Sequence, residues 1–375
     1  VIWIKREDTQ LGFSYKIRGA YNLMVTLSSD ERDRGVVTAS AGNHAQGVAM
    51  AAVKLSLAAT IVMPKTTPEI KIAAVRRLGA ETILHGNTYD EASEHAHLIA
   101  EDTGAVYIPP YDHPLVIAGQ GTVGMEILRQ HAGRIDAIFV PVGGGGLIAG
   151  ISAYIKALEP SIRVIGVEAE DAASMKSALE AGERIALEHI GIFADGAAVR
   201  QVGAEPFRVA QACVDEIMTV NIDEICAAVK DTFEDPRAIA EPAGALALAG
   251  LKQWVKRESA RELELVAIFS GANVNFDRLR HIAEFAALGE HREALIATTI
   301  PERPGSFRKF CHALGLRAIT EFNYRYSDND KAVVFAGVAL RHGEDETTTL
   351  LNKLNEKGFE VIDISSNETA KMHVR

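Results

Sequence analysis

"AIFVPVGGGGLIAG", residues 137 to 150, decides how the rest of the chain is read. An apolar, β-branched run ends in four consecutive glycines, Gly143 to Gly146, and a helical pattern opens directly after them. Glycine admits φ > 0 and lets a ligand approach the backbone. The free N–H groups at a helix start bind anions, phosphate above all. A strand, a glycine turn and a helix in that order are one half of an α/β unit.

Working outward, the same alternation runs from the start of the chain to about residue 280. "VVTAS", "ATIVMP", "ETILHG", "AVYIPP", "RVIGVEAE" and "LELVAIFSGA" read as strands buried on both faces, with helical stretches such as "TPEIKIAAVRRLGA" and "TYDEASEHAHLIAEDTG" between them. This pattern predicts parallel sheet, whose ligands gather at the carboxyl ends of the strands. After "FAALGEHRE" the order changes to βαββαβ, from "ALIATTI" through "FRKFCHALG", "AITEFNYRY", "KAVVFAGVAL" (joined to its predecessor at "SDND") and "ETTTLLNKLNEKG" to "FEVIDIS". That is the ferredoxin-like pattern, and with few catalytic side chains it reads as a regulatory module.

Composition narrows the function. The chain has 375 residues and a net charge of -11, with no Lys/Arg-rich run, so nucleic acid and anionic membranes are excluded as partners. No apolar run is long enough to span a bilayer. Three cysteines, Cys213, Cys226 and Cys311, without CxxC spacing fit buried thiols in a reducing compartment, and no metal-ligand spacing is present. The chain begins inside a strand-like run without Met and reads as missing an N-terminal segment.

Whose phosphate would the glycines hold? Leu147-Ile148 stands where a P-loop needs Lys-Ser/Thr. A dinucleotide reading stays open on this segment alone, since Gly144, Gly146 and Ala149 match G-x-G-x-x-A and Glu168 lies where a ribose-binding acid belongs. A second strand-to-helix loop, "TASAGNHAQGVA" (38 to 49), offers Ser40, Gly42 and Asn43 as donors suited to a carboxylate or a phenolate-like oxygen; His44, inside the helix start, reads as structural. "FADGAAVR", "EPAGALALAG" and "FSGANVN" place Gly196, Glu241 and Ser270 in further turns, Ser270 at a strand's carboxyl end. "GFSYKIRGAYN" sets Lys16 between Tyr15 and Ile17 in the first turn of a helix, where on its own it reads as an ordinary surface lysine. Ser14 reads as the cap of the helix that presents it, and Arg18 as a structural ion pair.

Lys5-Arg6-Glu7-Asp8, Ser14-Tyr15-Lys16 with Arg18-Gly19-Ala20, Ser40 to Gly47, Gly143 to Leu147 and Ser270 to Asn273 occur in one order. In that order they resemble the fold-type II pyridoxal-phosphate (PLP) enzymes, and among them the biosynthetic threonine dehydratase family with its ACT-like regulatory domain. The resemblance implies a tryptophan-synthase-β-like catalytic core of two domains with parallel sheets, followed by a C-terminal α+β ferredoxin-like (ACT-like) domain. It divides the chain into residues 1–15 and 119–288 as the large catalytic domain, 16–118 as the small one, and 289–375 as the regulatory one, with a possible second ACT-like unit absent.

It also implies roles. Lys16 would hold PLP as a Schiff base and shuttle the α-proton. Gly143, Gly144, Gly145, Gly146 and Leu147 would cradle its phosphate, and Asn43 would bond its 3′-oxygen. Ser270 would meet the pyridine nitrogen, with Gly196 and Glu241 near the ring. Ser40, Ala41, Gly42 and Asn43 would bind the substrate carboxylate. Serine racemases of this group carry a second serine where this chain has Ala41, which favours one-sided elimination. The implied reaction is L-threonine to 2-oxobutanoate and ammonia, the first step of isoleucine biosynthesis, with L-serine a poorer substrate. Isoleucine would inhibit and valine oppose it, through a region that includes Glu321, Asn323 and Tyr324. A homo-oligomer (tetramer) in the cytoplasm, or in the plastid stroma of a plant, completes the expectation. An NAD-binding oxidoreductase, a serine racemase or serine dehydratase, and a non-catalytic amino-acid sensor are the alternatives.

Overall fold

A computed structural model describes residues 1–326, 330–341, 343–367 and 369–371. The "SDND" turn falls largely outside them. The strands are β1 (Ile2–Arg6), β2 (Val36–Ala39), β3 (Ala59–Met63), β4 (Glu81–Leu84), β5 (Val106–Tyr107), β6 (Ala137–Pro141), β7 (Arg163–Ala169), β8 (Glu216–Val220), β9 (Leu265–Phe269), β10 (Glu293–Pro301), β11 (Ile319–Tyr326), β12 (Lys331–Ala339) and β13 (Glu360–Asp363). They form two compact units, 1–221 with 231–275, and 222–230 with 276–375.

The first unit holds two parallel sheets, one of five strands in the order β1-β9-β6-β7-β8 and one of four in the order β4-β3-β2-β5. The two-residue side-chain period of a strand explains why the sequence runs look continuously apolar. In the smaller sheet Val36, Ile61 and Met63 enter one core while Val37, Ala39 and Val62 enter another on the opposite face. Strand β6 is buried along its whole length. Two differences from the sequence reading stand out. β4 is exposed at both ends because it is an edge strand, and β8, "EIMTV", was not read as a strand at all. β8 is the opposite edge of the larger sheet and only half-buried, so its apolar signal is diluted.

The second unit contains an antiparallel sheet in the order β11-β12-β10-β13, with the helices Ser306–Leu314 and Glu344–Glu356 in a βαββαβ sequence. Ile296, Ile300, Val334 and Val338 meet Phe310, Leu350 and Leu354 in its core. This is the ferredoxin-like arrangement expected. The sequence reading set the boundary at 289 and placed 222–230 in the large catalytic domain, whereas residues 222–230 fall in this unit. Lys371 pairs with Asp223 at 2.7 Å and Lys230 with Glu290 at 2.6 Å, and a Cβ on Gly289 would strike the Asp223 backbone.

Candidate active site

Lys16 is the first residue of the helix Lys16–Met24. The chain reaches it through Phe13 at φ 53°, and Ser14 bridges Gly271 as an isolated antiparallel pair. Tyr15 N–H donates to the Ser270 carbonyl at 3.3 Å, so the helix start is stitched to the end of β9. Ser14 is therefore not the cap expected. The residue at the cap position is Tyr15, with no side-chain cap bond, and Ser14 lies one residue earlier, paired through its backbone with Gly271.

The helix is held from its other side by Arg18. Its guanidinium donates to both oxygens of Glu7 (2.7 and 2.8 Å), to both of Glu126 (2.8 Å each) and to Thr122 Oγ1 (3.0 Å). Glu7 is fully buried. Removing Arg18 would leave that buried carboxylate with only Lys5, 3.7 Å away, as a cationic partner, at a cost of up to about 3–5 kcal/mol. Gly19 and Gly119 allow the Lys16–Met24 helix and the helix Pro114–Gln130 to touch, since a Cβ on Gly119 would come 2.6 Å from the Arg18 carbonyl oxygen.

Lys16 Nζ donates to the Pro110 carbonyl at 3.1 Å. Burial pushes the amine down to about 8, against the opposing pull of the Glu241 carboxylate. Glu241 sits at the cap position of the helix Pro242–Glu258. Burial pushes its carboxyl up to about 7, although Asn43 Nδ2 donates to its Oε1 at 2.6 Å. Asn43 opens the helix Asn43–Leu55, and its Oδ1 accepts from Asn273 at 2.5 Å. A Cβ on Gly196 would lie 3.5 Å from Glu241 Oε1 and 3.7 Å from Asn43 Nδ2. Lys16, Asn43, Gly196, Glu241 and Ser270, spread over 255 positions of sequence, thus converge at the carboxyl ends of β2 and β9. Ser270 is buried, and its hydroxyl makes only a long bond, 3.4 Å, to the Ala243 carbonyl.

The glycine run follows β6, and Gly145, at φ 90°, turns the chain into the helix Gly146–Leu158. The loop is tightly walled. A Cβ on Gly143 would come 2.8 Å from the Ala197 carbonyl oxygen, and one on Gly144 would run into the Tyr111 ring. In the other loop, Ser40 Oγ accepts from Gly42 N–H at 3.2 Å, and a Cβ on Gly42 would meet nothing within 4 Å. That leaves room beside the helix start at Ser40, Ala41 and Gly42.

His44 is buried and bonds the Ile108 carbonyl through Nε2 at 2.9 Å. Burial, with the Lys16 charge behind it, holds its pKa down at about 3, so it is neutral. This fits the structural reading of His44. Glu168 is not placed to bind a ribose. Its two oxygens accept from the N–H groups of Met175 and Lys176 at 2.8 Å each, which makes it the anchor of the helix Ser174–Ala181. The dinucleotide pattern loses its acid in this way. In the second unit, Glu321 and Asn323 register opposite Gly337 and Phe335 while Tyr324 registers opposite the core residue Val334, so the three do not share a face of β11.

The sequence reading missed Pro110, Tyr111 and Asp112. Pro110 receives the Lys16 amine, Tyr111 packs on Gly144 and Gly146, and Asp112 accepts from the N–H groups of Ala204 and Glu205 at 2.8 and 3.0 Å. A carbonyl and a packed ring carry no residue-type signature, although the Pro-Pro pair did mark a fixed exit from β5.

The donor set suits one cofactor. A glycine run at a helix start suits a dianionic phosphate, a buried amine of lowered pKa suits an aldehyde, and an amide and a hydroxyl suit the polar edges of a ring. Comparison with known proteins agrees. Residues 1–271 match the family model "Pyridoxal-phosphate dependent enzyme", and residues 284–374 match "C-terminal regulatory domain of Threonine dehydratase". Fold and site together define a pyridoxal-phosphate-dependent enzyme of the parallel-sheet type. The biosynthetic L-threonine dehydratase of Pasteurella multocida is 54% identical over 374 residues, covering 100% of this chain and 72% of that protein. That of Escherichia coli K12 is 52% identical over 375 residues, covering 100% and 73%. The solved structure of the processed form of threonine deaminase isoform 2 from Solanum lycopersicum superposes with a TM-score of 0.75 at 50% identity, covering 76% of this chain and 83% of that one. The chain belongs to the biosynthetic threonine dehydratase family.

Proposed function

We propose that the chain converts L-threonine to 2-oxobutanoate and ammonia as the entry step of isoleucine synthesis, accepts L-serine less well, and answers to isoleucine and valine through its second unit. The convergence of a half-neutral Lys16 with Asn43, Glu241 and Ser270 at the strand ends carries this reading. Its regulatory half is supported by the match of residues 284–374 to a threonine dehydratase regulatory domain.

Pyridoxal phosphate, when bound, supplies an electron sink for the carbon that loses its proton. The N–H groups of Gly143, Gly144, Gly145, Gly146 and Leu147 hold its phosphate. Asn43 Nδ2 has a second hydrogen, beyond the one given to Glu241, for the 3′-oxygen. Ser270, whose hydroxyl makes a long bond to the Ala243 carbonyl, would offer that hydroxyl to the ring nitrogen. Gly196 keeps the ring's flank free of side chain next to Glu241. Ser40 and the N–H groups of Ala41, Gly42 and Asn43 bind the substrate carboxylate in the open space beside Gly42.

Lys16 Nζ, part neutral near pH 8, would take the α-proton, and the β-hydroxyl would leave with one proton, so that the α-hydrogen and the hydroxyl are lost together as one water. Hydrolysis of the freed product returns that water, so threonine gives one oxo acid and one ammonia. Ala41 offers no hydroxyl as a base on the opposite face, which supports elimination over racemisation.

We further assign residues 16–118 to the small catalytic domain, the remainder of the first unit to the large one, and the second unit to regulation. We place effector recognition around Glu321, Asn323 and Tyr324, and the enzyme in a homotetramer in the cytoplasm, or in the plastid stroma of a plant. Among the described residues no helix is long and apolar enough to cross a membrane. The decisive experiment is the absorption spectrum of the PLP-loaded chain before and after L-threonine, with 2-oxobutanoate assayed in the same sample. A spectral change with oxo-acid release is expected; PLP uptake without any 2-oxobutanoate would overturn the substrate assignment.

A further inference from the structure

The segment leaving β5 meets the Lys16 amine, the glycine run and the helix Ala204–Cys213. Lys16 Nζ donates to the Pro110 carbonyl at 3.1 Å. Tyr111 covers the glycine run: a Cβ on Gly144 would meet its ring, and one on Gly146 would lie 3.1 Å from its backbone. Asp112 then reaches across to the helix Ala204–Cys213, where its Oδ2 accepts from Ala204 N–H at 2.8 Å and its Oδ1 from Glu205 N–H at 3.0 Å. That helix start is the opposite wall of the same loop. Gly203 N–H donates to the Gly144 carbonyl at 3.1 Å, and a Cβ on Gly145 would come 2.8 Å from Pro206 Cβ. The fit between walls is close, since a Cβ on Gly203 would lie 2.8 Å from Asp112 Cγ. One carboxylate joins the two walls, satisfying two N–H groups that a helix start otherwise leaves open.

We propose that Asp112 is a positioning residue for the deamination: by clamping the Ala204–Cys213 helix start, it holds Tyr111 against the glycine run and the Pro110 carbonyl against the Lys16 amine, and so sets the distance between phosphate cradle and amine. Both oxygens of Asp112 are occupied by backbone N–H groups. Its effect passes through the backbone of residues 110–112, which no substitution at Lys16 or in the glycine run would reveal. The inference rests on the reading of Gly143–Leu147 as the phosphate cradle and Lys16 as the reacting amine.

The test is PLP titration of the apoprotein, following affinity and the rate at which the covalent absorption band appears, in wild type, D112A, D112N and D215A. Asp215, which also pairs with Lys156 at 2.8 Å, is the control for general loosening. It too holds a backbone N–H, that of Val164, at 2.6 Å, but at the amino end of β7, the sheet edge away from the glycine run. D112A should raise the PLP dissociation constant about tenfold, the loss expected when a helix start loses its partner. It should slow band formation and lower kcat for threonine while leaving KM within about twofold, because the carboxylate-binding loop is elsewhere. D112N keeps one acceptor oxygen and should fall between. D215A should lower the melting temperature and leave PLP affinity unchanged. Wild-type affinity and capture rate in D112A would overturn the proposal, and so would an equal loss of affinity in D215A, which would mark general loosening. The underlying reading fails separately, when the wild type takes up PLP but K16A forms the same covalent band.

Discussion

The two units bury their polar groups differently. At the strand ends of the parallel unit, Lys16, His44, Glu168 and Glu241 are desolvated, and burial is the first cause of each of their pKa shifts. In the antiparallel unit the polar residues of β11 lie at or near the surface, and Tyr324, 42% exposed, meets Glu302 there. The contrast follows from topology. Parallel strands need long crossovers, so their carboxyl ends collect loops from distant sequence into one enclosed place. An antiparallel βαββαβ unit leaves an edge strand open, here β11. The first arrangement takes reactive groups out of water, and the second, although it buries Glu293, Thr298 and Lys371, leaves the polar residues of β11 near the surface.

The largest effect should come from breaking the first arrangement. K16A should abolish the covalent PLP band and lower threonine turnover by at least about 10⁴-fold. Residual turnover within tenfold of wild type would place the proton transfer elsewhere. Next comes the core of the second unit. Phe310 is fully buried and meets Phe359 edge-on with ring centroids 5.6 Å apart. F310A should destabilise that unit by about 3–5 kcal/mol, seen as a lowered unfolding transition, while the PLP spectrum of the folded protein stays that of wild type. A lost PLP band at a temperature where both units remain folded would break the division of labour.

These predictions draw on very different amounts of sequence information. The glycine run and the Ser40–Gly47 loop stand out because a turn at a helix start needs particular residue types, Lys16 stands out only beside those distant motifs, and the strands around them are legible because burial on both faces leaves an apolar run. β8 was not legible, since an edge strand needs less apolar surface. Ser14 is not the cap because the helix begins at Lys16, with Tyr15 at the cap position, a one-residue shift tied to the backbone bridge to Gly271, 257 positions away. Arg18 was legible as a charge needing partners, but Glu7 and Glu126 could not be chosen from among many acids without the packing of the Lys16–Met24 and Pro114–Gln130 helices.

A smaller effect sharpens the electrostatic side. The Glu241 carboxylate raises the Lys16 pKa while burial lowers it to about 8. E241Q removes the negative charge and keeps an oxygen that can accept from Asn43. The neutral amine is then favoured further, so the acid limb of PLP capture against pH should move to lower pH, by up to about one unit. A limb that moves to higher pH, or not at all, would mean that Glu241 does not act on Lys16 through its charge.

The smallest effect belongs to the surface of the second unit. Y324F removes the hydroxyl that donates to Glu302 and leaves the ring in place. Because this pair is exposed, water replaces what is lost, and neither the melting temperature nor the turnover without effector should change by a measurable amount. If β11 takes part in effector recognition, the same substitution should still alter the isoleucine concentration that half-inhibits the enzyme, by about two- to fivefold, the scale of one hydrogen bond. An unchanged isoleucine response, in a protein whose inhibition by isoleucine is otherwise intact, would move the recognition surface away from Tyr324. The face carrying Glu321 and Asn323 would remain, since β11 turns those two side chains to the side opposite Tyr324.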